Sequence, residues 1–258
     1  MKWRKIFFFI FSAILIFSVK SFTADLSPKD IALNVFHRDV GKNSEAEARM
    51  LLIDKNNRKK ARDFSQKRVK KNRLEKNLIV FRSPAEIEGT AFLTIEKKDW
   101  ETDQFLYLPA LKRTRRIVSS QKDQKFVNSD FTYEDMERHP VDNYSYKLLD
   151  TKKFNNLDCY VLESTPLKNT DSQYSKTVSY IHQDSFVTVY KKFYLKKNKL
   201  FKEYKVLALE TIQNIPTEIV VSMETIKTNH KTFIKIDNIK YNTNISPEDL
   251  SREKLKFY

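Results

Sequence analysis

From residue 45 onward the chain is a succession of short extended segments separated by turn residues, with no long helical segment between them. The clearest segment is Glu45–Leu52, in which Ala46, Ala48, Met50 and Leu52 face one way and Glu45, Glu47 and Arg49 face the other. Strict alternation predicts a half-buried strand. About a dozen strands at hairpin spacing predict an antiparallel meander rather than a parallel sheet. The other main predicted strands are Arg58–Lys71, Leu74–Arg82, Thr90–Lys97, Phe105–Leu108, Tyr144–Leu149, Asp158–Ser164, Thr177–His182, Thr188–Leu195, Leu200–Leu209, Glu218–Ile226 and Lys231–Tyr241.

Asparagine takes the place that glycine has in most turns. The chain has only two glycines, Gly41 and Gly89, which excludes glycine-rich phosphate loops and dinucleotide-binding fingerprints. Asparagine also adopts the left-handed backbone region, so pairs such as Asn56-Asn57 predict tight turns. Gly89 predicts a bend or a bulge in a strongly curved sheet.

Short helices are expected at both ends of the strand-rich region. Ser27 is a predicted N-cap, Pro28 occupies the first helical position, and Gly41 is a natural end for this helix. The helix is either a lid over a cavity or a simple cover on the sheet. Ser246 caps a second predicted helix, which places Leu250 and Leu255 on the body of the protein.

The basic stretch Arg58–Lys71 contains only sparse apolar residues, Phe64 and Val69 among them. We interpret it as a solvated, edge-like strand, because charge on an edge opposes aggregation. The alternative is a stripe that docks on a membrane.

Residues 1–24 have the pattern of a signal peptide. Lys2, Arg4 and Lys5 precede an apolar run over residues 6–19, which is shorter than the roughly twenty residues of a membrane span. We predict cleavage near Ser21 or Ala24 and export to the periplasm, leaving residues 25–258 as a single domain. An uncleaved anchor is the alternative.

Charge and cysteine content narrow the choice of partners. The formal net charge of +15 calls for an anionic partner, and export favours an anionic membrane surface over nucleic acid.

Cys159 is the only cysteine, so no internal disulfide forms, and its alternating surroundings predict a small core residue. No two histidines lie three to five residues apart, and the sequence contains no G-x-S-x-G elbow. We predict no metal, no cofactor and no catalysis.

The segment Phe105–Glu137 combines an apolar strand, a cationic run and an aromatic-acidic stretch within about thirty residues. An apolar wall beside arginines suits an amphiphile with an anionic head. The alternative is an ordinary core strand with solvated arginines, in which the carboxylates of SDFTYED meet Arg115 or Arg116.

The sequence YLPALKRTRRI, followed by a polar loop and by F-x-x-SDFTYED, resembles the signature of the outer-membrane lipoprotein-sorting family, the LolA/LolB-like proteins. The resemblance implies a mainly β protein with a few helices (α+β), in which a curved antiparallel sheet forms an incomplete barrel covered by short helices. It also implies a hydrophobic cavity for acyl chains and no catalysis.

The function expected from this resemblance is that of a periplasmic carrier for the acyl chains of a lipoprotein or another lipid, working with a transport partner in the inner or outer membrane. The alternative is a periplasmic interaction or sensor module of the same fold that binds a protein partner. Candidate acyl-cavity residues are Phe92, Leu106, Leu108, Phe126 and Phe131. Candidate head-group residues are Arg113, Arg115, Arg116 and Asp130.

Overall fold

The computed structural model describes residues 26–98 and 100–258. The predicted signal peptide lies outside the described residues. Within them the chain forms one α-helix, α1 (Pro28–His37), and thirteen strands. The strands are β1 (Asn43–Ile53), β2 (Lys59–Lys71), β3 (Leu74–Ser83), β4 (Ala91–Glu96), β5 (Thr102–Leu108), β6 (Arg113–Ile117), β7 (Tyr144–Phe154), β8 (Leu157–Pro166), β9 (Lys176–His182), β10 (Thr188–Leu195), β11 (Lys199–Ile212), β12 (Ile215–Thr225) and β13 (His230–Tyr241). Short 3-10 helices lie at Pro109–Leu111, Ser119–Gln121, Phe126–Asn128, Glu134–Met136, Val141–Asn143, Lys196–Asn198 and Leu255–Phe257. Among the described residues, no helix is long and apolar enough to cross a membrane.

The thirteen strands form one sheet in the order β6-β5-β4-β3-β2-β1-β13-β12-β11-β10-β9-β8-β7. Every neighbouring pair is antiparallel. Two meanders, β1 to β6 and β7 to β13, meet where β1 pairs with β13. The edges β6 and β7 are not neighbours in the sheet, so the barrel is incomplete, and β-bulges in several pairs bend it. The predicted fold class is confirmed.

Local sequence explains most of the strand boundaries. Ala46, Ala48, Met50 and Leu52 are all buried, as the alternation in β1 predicts. Asparagines lie at many of the turns with positive φ, including Asn57 (φ 60°). Asparagine therefore performs the backbone role of glycine here, as predicted.

The interpretation of Arg58–Lys71 as an edge strand is wrong. This stretch forms β2, which is paired on one side with β1 and on the other with β3. Its charged side chains are accommodated by cross-strand partners, such as Asp63 opposite Arg49 at 2.6 Å, and by backbone carbonyls, while Phe64 and Val69 are buried. Cross-strand pairing of charges makes an interior strand possible despite the basic composition.

Both helix predictions need correction at their ends. The Ser27 side chain caps α1 through the Asp30 amide at 3.1 Å, as predicted, but the helix ends at His37 because Arg38 is already extended. The predicted C-terminal helix consists only of turns and a 3-10 helix. Leu250 and Leu255 are nevertheless fully buried, as expected.

The connection between β6 and β7, residues 118–143, lies inside the curve of the sheet, and we call it the inner segment. It contacts β13 through Asp130, β11 through Asp135, and β4 through Phe126. Contacts with such distant strands mean that the sheet bends around this segment. The opposite face of β2–β5 is covered by the C-terminal residues Leu250 and Leu255.

Candidate functional site

A cavity of about 370 Å³ lies between α1 and the inner face of the sheet. Its cover is the apolar side of α1, where Ala32, Val35 and Phe36 point inward. Ile31 and Ala32 are buried in a cluster with Val141, Leu162 and Ile181. This cluster holds α1 against the inner face, and the cavity lies beside it.

The floor of the cavity is formed by β8, β9 and β10. Leu162, Ser179 and Lys191 are direct cross-strand neighbours, so their side chains project from the same face of the sheet. Thr177 and Phe193 form the adjacent cross-strand pair and also line the cavity. The floor therefore mixes apolar side chains with hydroxyls and the ammonium group of Lys191.

Three arginines at the cavity hold α1 and the residues that follow it, and we call Arg38, Arg68 and Arg138 the arginine latch. Arg38 donates to the Glu218 carboxylate at 3.0 Å and to the Pro216 carbonyl at 3.3 Å. Arg68 donates to the carbonyl of Val40.

Arg138 makes the most contacts of the three. It donates to the Phe36 carbonyl at 2.8 Å, and its guanidinium lies 4.0 Å from the centroid of the Phe36 ring. It also pairs with Glu96 at 3.0 Å and with Glu75 at 3.1 Å. The latch thus ties the C-terminal end of the cover to strands on the other side of the cavity.

Burial sets the charge of the titratable groups at the cavity. Burial, aided by Lys191, lowers the pKa of His139 to about 4, so this imidazole is neutral at pH 7. Burial also lowers the pKa of Lys191, although Asp135 and Glu134 act in the opposite direction.

A second, more polar cavity of about 470 Å³ shares Arg138, His139 and Tyr144 with the first. The His139 and Tyr144 rings meet edge to face with their centroids 5.7 Å apart. Arg116, one of the predicted head-group residues, lines this second cavity and pairs with Asp103.

The other predicted head-group residues lie elsewhere. Arg113 and Arg115 are exposed on the edge strand β6 and line neither of these two cavities. Asp130 is buried, and its carboxylate accepts hydrogen bonds from Thr225 at 2.5 Å, Thr232 at 2.7 Å and His230 at 2.6 Å. The interpretation that the carboxylates of SDFTYED meet Arg115 or Arg116 is wrong. Asp130 instead anchors the inner segment to β12 and β13.

The predicted acyl-cavity residues are packed together away from the cavity under α1. Phe92, Leu106, Phe126 and Phe131 belong to the largest core cluster, and Leu108 packs against it. The Phe92 and Phe126 ring centroids are 4.9 Å apart. In this half of the sheet the inner segment itself occupies the hollow, and contact of these five residues with an acyl chain stays a prediction.

Sequence reasoning missed Lys191 and His139. Lys191 had a signal, since it occupies an inward position of β10 between the buried residues Val189 and Phe193. His139 had none, because it lies in an irregular connection whose surroundings depend on distant strands.

Comparison with known proteins places the chain in a family. The model of a family described as "Uncharacterized protein" matches residues 73–257. A solved structure of a DUF1329 family protein from Desulfovibrio piger is 29% identical, with a TM-score of 0.83, and the match covers 88% of this chain and 97% of that one. A solved candidate outer membrane lipoprotein-sorting protein domain from Vibrio parahaemolyticus is 28% identical, with a TM-score of 0.83, covering 89% of this chain and 98% of that one.

A LolA superfamily protein from Nitrosomonas europaea shares the fold at 15% identity and a TM-score of 0.69, with 88% of this chain and 99% of that one covered. No curated protein matches the sequence. The chain therefore belongs to the family whose model matches residues 73–257, and its resemblance to the outer membrane lipoprotein-sorting and LolA-like proteins is confirmed.

Proposed function

We propose that residues 25–258 form a single-domain, non-catalytic periplasmic carrier. It binds the acyl chain of a lipoprotein or another lipid in the cavity under α1 and moves it between envelope membranes. The observation that supports this function most directly is a cavity with an apolar helical cover on an incomplete barrel. The relatives named for outer membrane lipoprotein sorting support the same class of function.

The size of the cavity suits a single chain. Its volume of about 370 Å³ lies near the lower end of the roughly 300–1,000 Å³ of small-molecule pockets. Burial of hydrocarbon contributes about 0.8 kcal/mol per methylene, so a tail of about fourteen carbons offers about 10 kcal/mol before the cost of ordering it. The tail, rather than the head group, should therefore set most of the affinity.

Release requires the cover to move, because a ligand held by that much apolar burial leaves slowly. The arginine latch is the contact that has to open, since it joins residues 36–40 to strands across the cavity. A transport partner in the inner or outer membrane, or an anionic membrane surface, supplies competing carboxylates or phosphates for these arginines.

The test compares the natively purified protein with a variant whose cavity is filled. Ala32→Trp places a large ring under α1, whereas Asn34→Trp adds the same ring on α1 at a position that does not line the cavity. We expect native mass spectrometry to detect a co-purifying lipid in the wild type and in Asn34→Trp but not in Ala32→Trp.

A wild-type sample that retains no lipid and binds no fluorescent lipid probe would contradict the carrier function. A stoichiometric envelope protein that binds wild type and Ala32→Trp equally would favour the interaction-module alternative.

A further inference from the structure

Lys191 differs from the other cations around the cavity in its surroundings. It lies on the inner face of β10 between Val189 and Phe193, and its Nζ is 5.0 Å from the centroid of the Phe193 ring. Within the described residues its ammonium group makes no hydrogen bond and no ion pair. Asp135 and Glu134 are near enough to affect its pKa, but Asp135 pairs with Lys202 and Glu134 accepts from Ser172 and Gln173.

Each of the other cations that line this cavity has a carboxylate partner. The pairs are Arg38 with Glu218 at 3.0 Å, Arg68 with Glu75 at 4.0 Å, Arg138 with Glu96 at 3.0 Å and Lys176 with Glu163 at 2.8 Å. A partly desolvated ammonium group without a partner destabilises a fold, and a bound anion would offset that cost.

Two hydroxyls extend the site. Ser179 lies directly across from Lys191 on β9, and Thr177 is two residues before it on the same face. Both residues are buried and line the cavity, and neither hydroxyl has a hydrogen-bond partner among the described residues. The floor of the cavity therefore presents an ammonium group and two O–H donors together, without a carboxylate in contact with them.

This arrangement favours an anionic ligand over a neutral one. An ammonium and two hydroxyls can all donate to one anion, and hydrogen bonds to a charged acceptor are about twice as strong as neutral ones. A neutral head group such as an alcohol would leave the ammonium group without a counter-charge. The apolar cover formed by Ala32, Val35 and Phe36 accommodates the hydrocarbon part of the same molecule.

We propose that the cavity binds single-chain amphiphiles with an acidic head group, a carboxylate or a phosphate monoester, and that Lys191 with Thr177 and Ser179 holds the anion. The inference rests on the proposed carrier function and names the class of its ligand. It moves the head-group site from the arginines of β6 to the floor of the cavity.

The test measures the affinity of the purified, delipidated protein for decanoate, decyl phosphate and decan-1-ol by calorimetry. The three probes have the same chain length and differ in the head group. We expect at least one acid to bind about tenfold or more tighter than the alcohol, since a desolvated charge-assisted contact contributes at least that factor. The comparison of decanoate with decyl phosphate separates a carboxylate from a phosphate preference.

Three variants assign the preference to Lys191. Lys191→Met should reduce the acid-to-alcohol ratio to about one, and Lys191→Arg should retain most of it. Lys192→Met is the matched control, because Lys192 is the next residue, projects from the other face of β10 and does not line the cavity. Its ratio should equal that of the wild type.

A measurement on the wild type keeps the test valid even if a variant does not fold. Decanoate should protect the Lys191 amine from acetylation, measured by peptide mass spectrometry, whereas decan-1-ol should not. Equal affinity of the wild type for all three probes, or an acid preference that survives Lys191→Met, would overturn the inference and leave the carrier function standing. Failure of all three probes to bind would overturn both.

Discussion

The buried ion pair between Asp135 and Lys202 should dominate the stability of the inner segment. Lys202 of β11 has a side chain with no exposed surface, and its ammonium group pairs with the Asp135 carboxylate. Asp135 also accepts from the Thr132 amide at 2.7 Å, the Thr132 hydroxyl at 2.8 Å and the Tyr174 hydroxyl at 2.8 Å. This pair joins the inner segment to a strand that is 67 residues distant in sequence.

The two single substitutions should not cost the same. Removing one partner of a buried pair typically destabilises by about 3–5 kcal/mol, because the other charge stays buried and uncompensated. Lys202→Met should lie near about 3 kcal/mol, since Asp135 keeps three neutral donors. Asp135→Asn should lie near about 5 kcal/mol, since Lys202 then keeps only the Asp130 carbonyl at 3.5 Å and aromatic faces.

The double variant distinguishes pairing from simple loss of contacts. With both charges removed, the cost should fall to within about 2 kcal/mol of the wild type, so the coupling energy is several kcal/mol. Urea unfolding followed by circular dichroism at pH 7 gives the four free energies of unfolding that the cycle needs. Arg49 and Asp63, an exposed pair at 2.6 Å, provide the control cycle, for which we expect a much smaller coupling energy because water screens the two charges.

The reasoning would be refuted if the two single costs added in the double variant, or if either were below about 1 kcal/mol. The pH dependence gives a second check. Burial raises the pKa of Asp135, but Lys202 and the hydrogen-bond donors outweigh it, so the folded pKa lies below the usual value. A depressed carboxyl pKa contributes stability that is present at pH 7 and is lost only as the pH falls below about 4.

Three further predictions concern the cover and the turns. The pKa of His139 in the folded protein is about 4, so the stability that its neutral form contributes is lost as the pH falls from about 6.5 to about 4, by at most about 3 kcal/mol. Urea unfolding should therefore show that the free energy of unfolding of His139→Gln depends less on pH over this range than that of the wild type. Gly41→Ala should lower the free energy of unfolding more than Gly89→Ala. Both glycines have a φ of 74°, but a Cβ at Gly41 would lie 3.0 Å from Tyr241, whereas a Cβ at Gly89 would lie 3.6 Å from Pro109. Equal losses in the two variants would contradict this prediction. Arg138→Gln should accelerate hydrogen exchange of the α1 amides, whereas Arg49→Gln, on the exposed surface of β1, should leave them unchanged.

The strands could be predicted because their information is local. Alternation in β1 and asparagine at the turns determine where each strand begins and ends. Local sequence does not predict which strands pair with each other, because the pairing of β1 with β13 joins residues such as Ser44 and Tyr241, which are far apart in the chain. The basic β2 was misplaced at an edge for the same reason, because its charge partners lie on strands whose position no local pattern reveals.

The site was harder to predict than the fold because aromatic residues suit a packed core and a ligand cavity equally well. Phe92 and Phe126 are residues that would suit an acyl-binding wall, yet in the structure their rings pack against each other in the core. The distinction depends on whether a chain segment fills the hollow, and here the inner segment does so. A lysine at an inward position of a strand, such as Lys191, is a more informative signal of a cavity, because lysine is almost never fully buried in a packed core without a partner.

The distribution of charge around the cavity separates two tasks. The three arginines that hold the cover are neutralised by glutamates, so they can act as a closure without attracting the ligand head group strongly. Lys191 has no such partner and remains able to bind an anion. If the arginine latch were the head-group site, then opening the cover and releasing the head group would be the same event. In the proposed carrier, with Lys191 on the floor, the cover opens while the anion is still held, so the acyl chain begins to leave before the head group does.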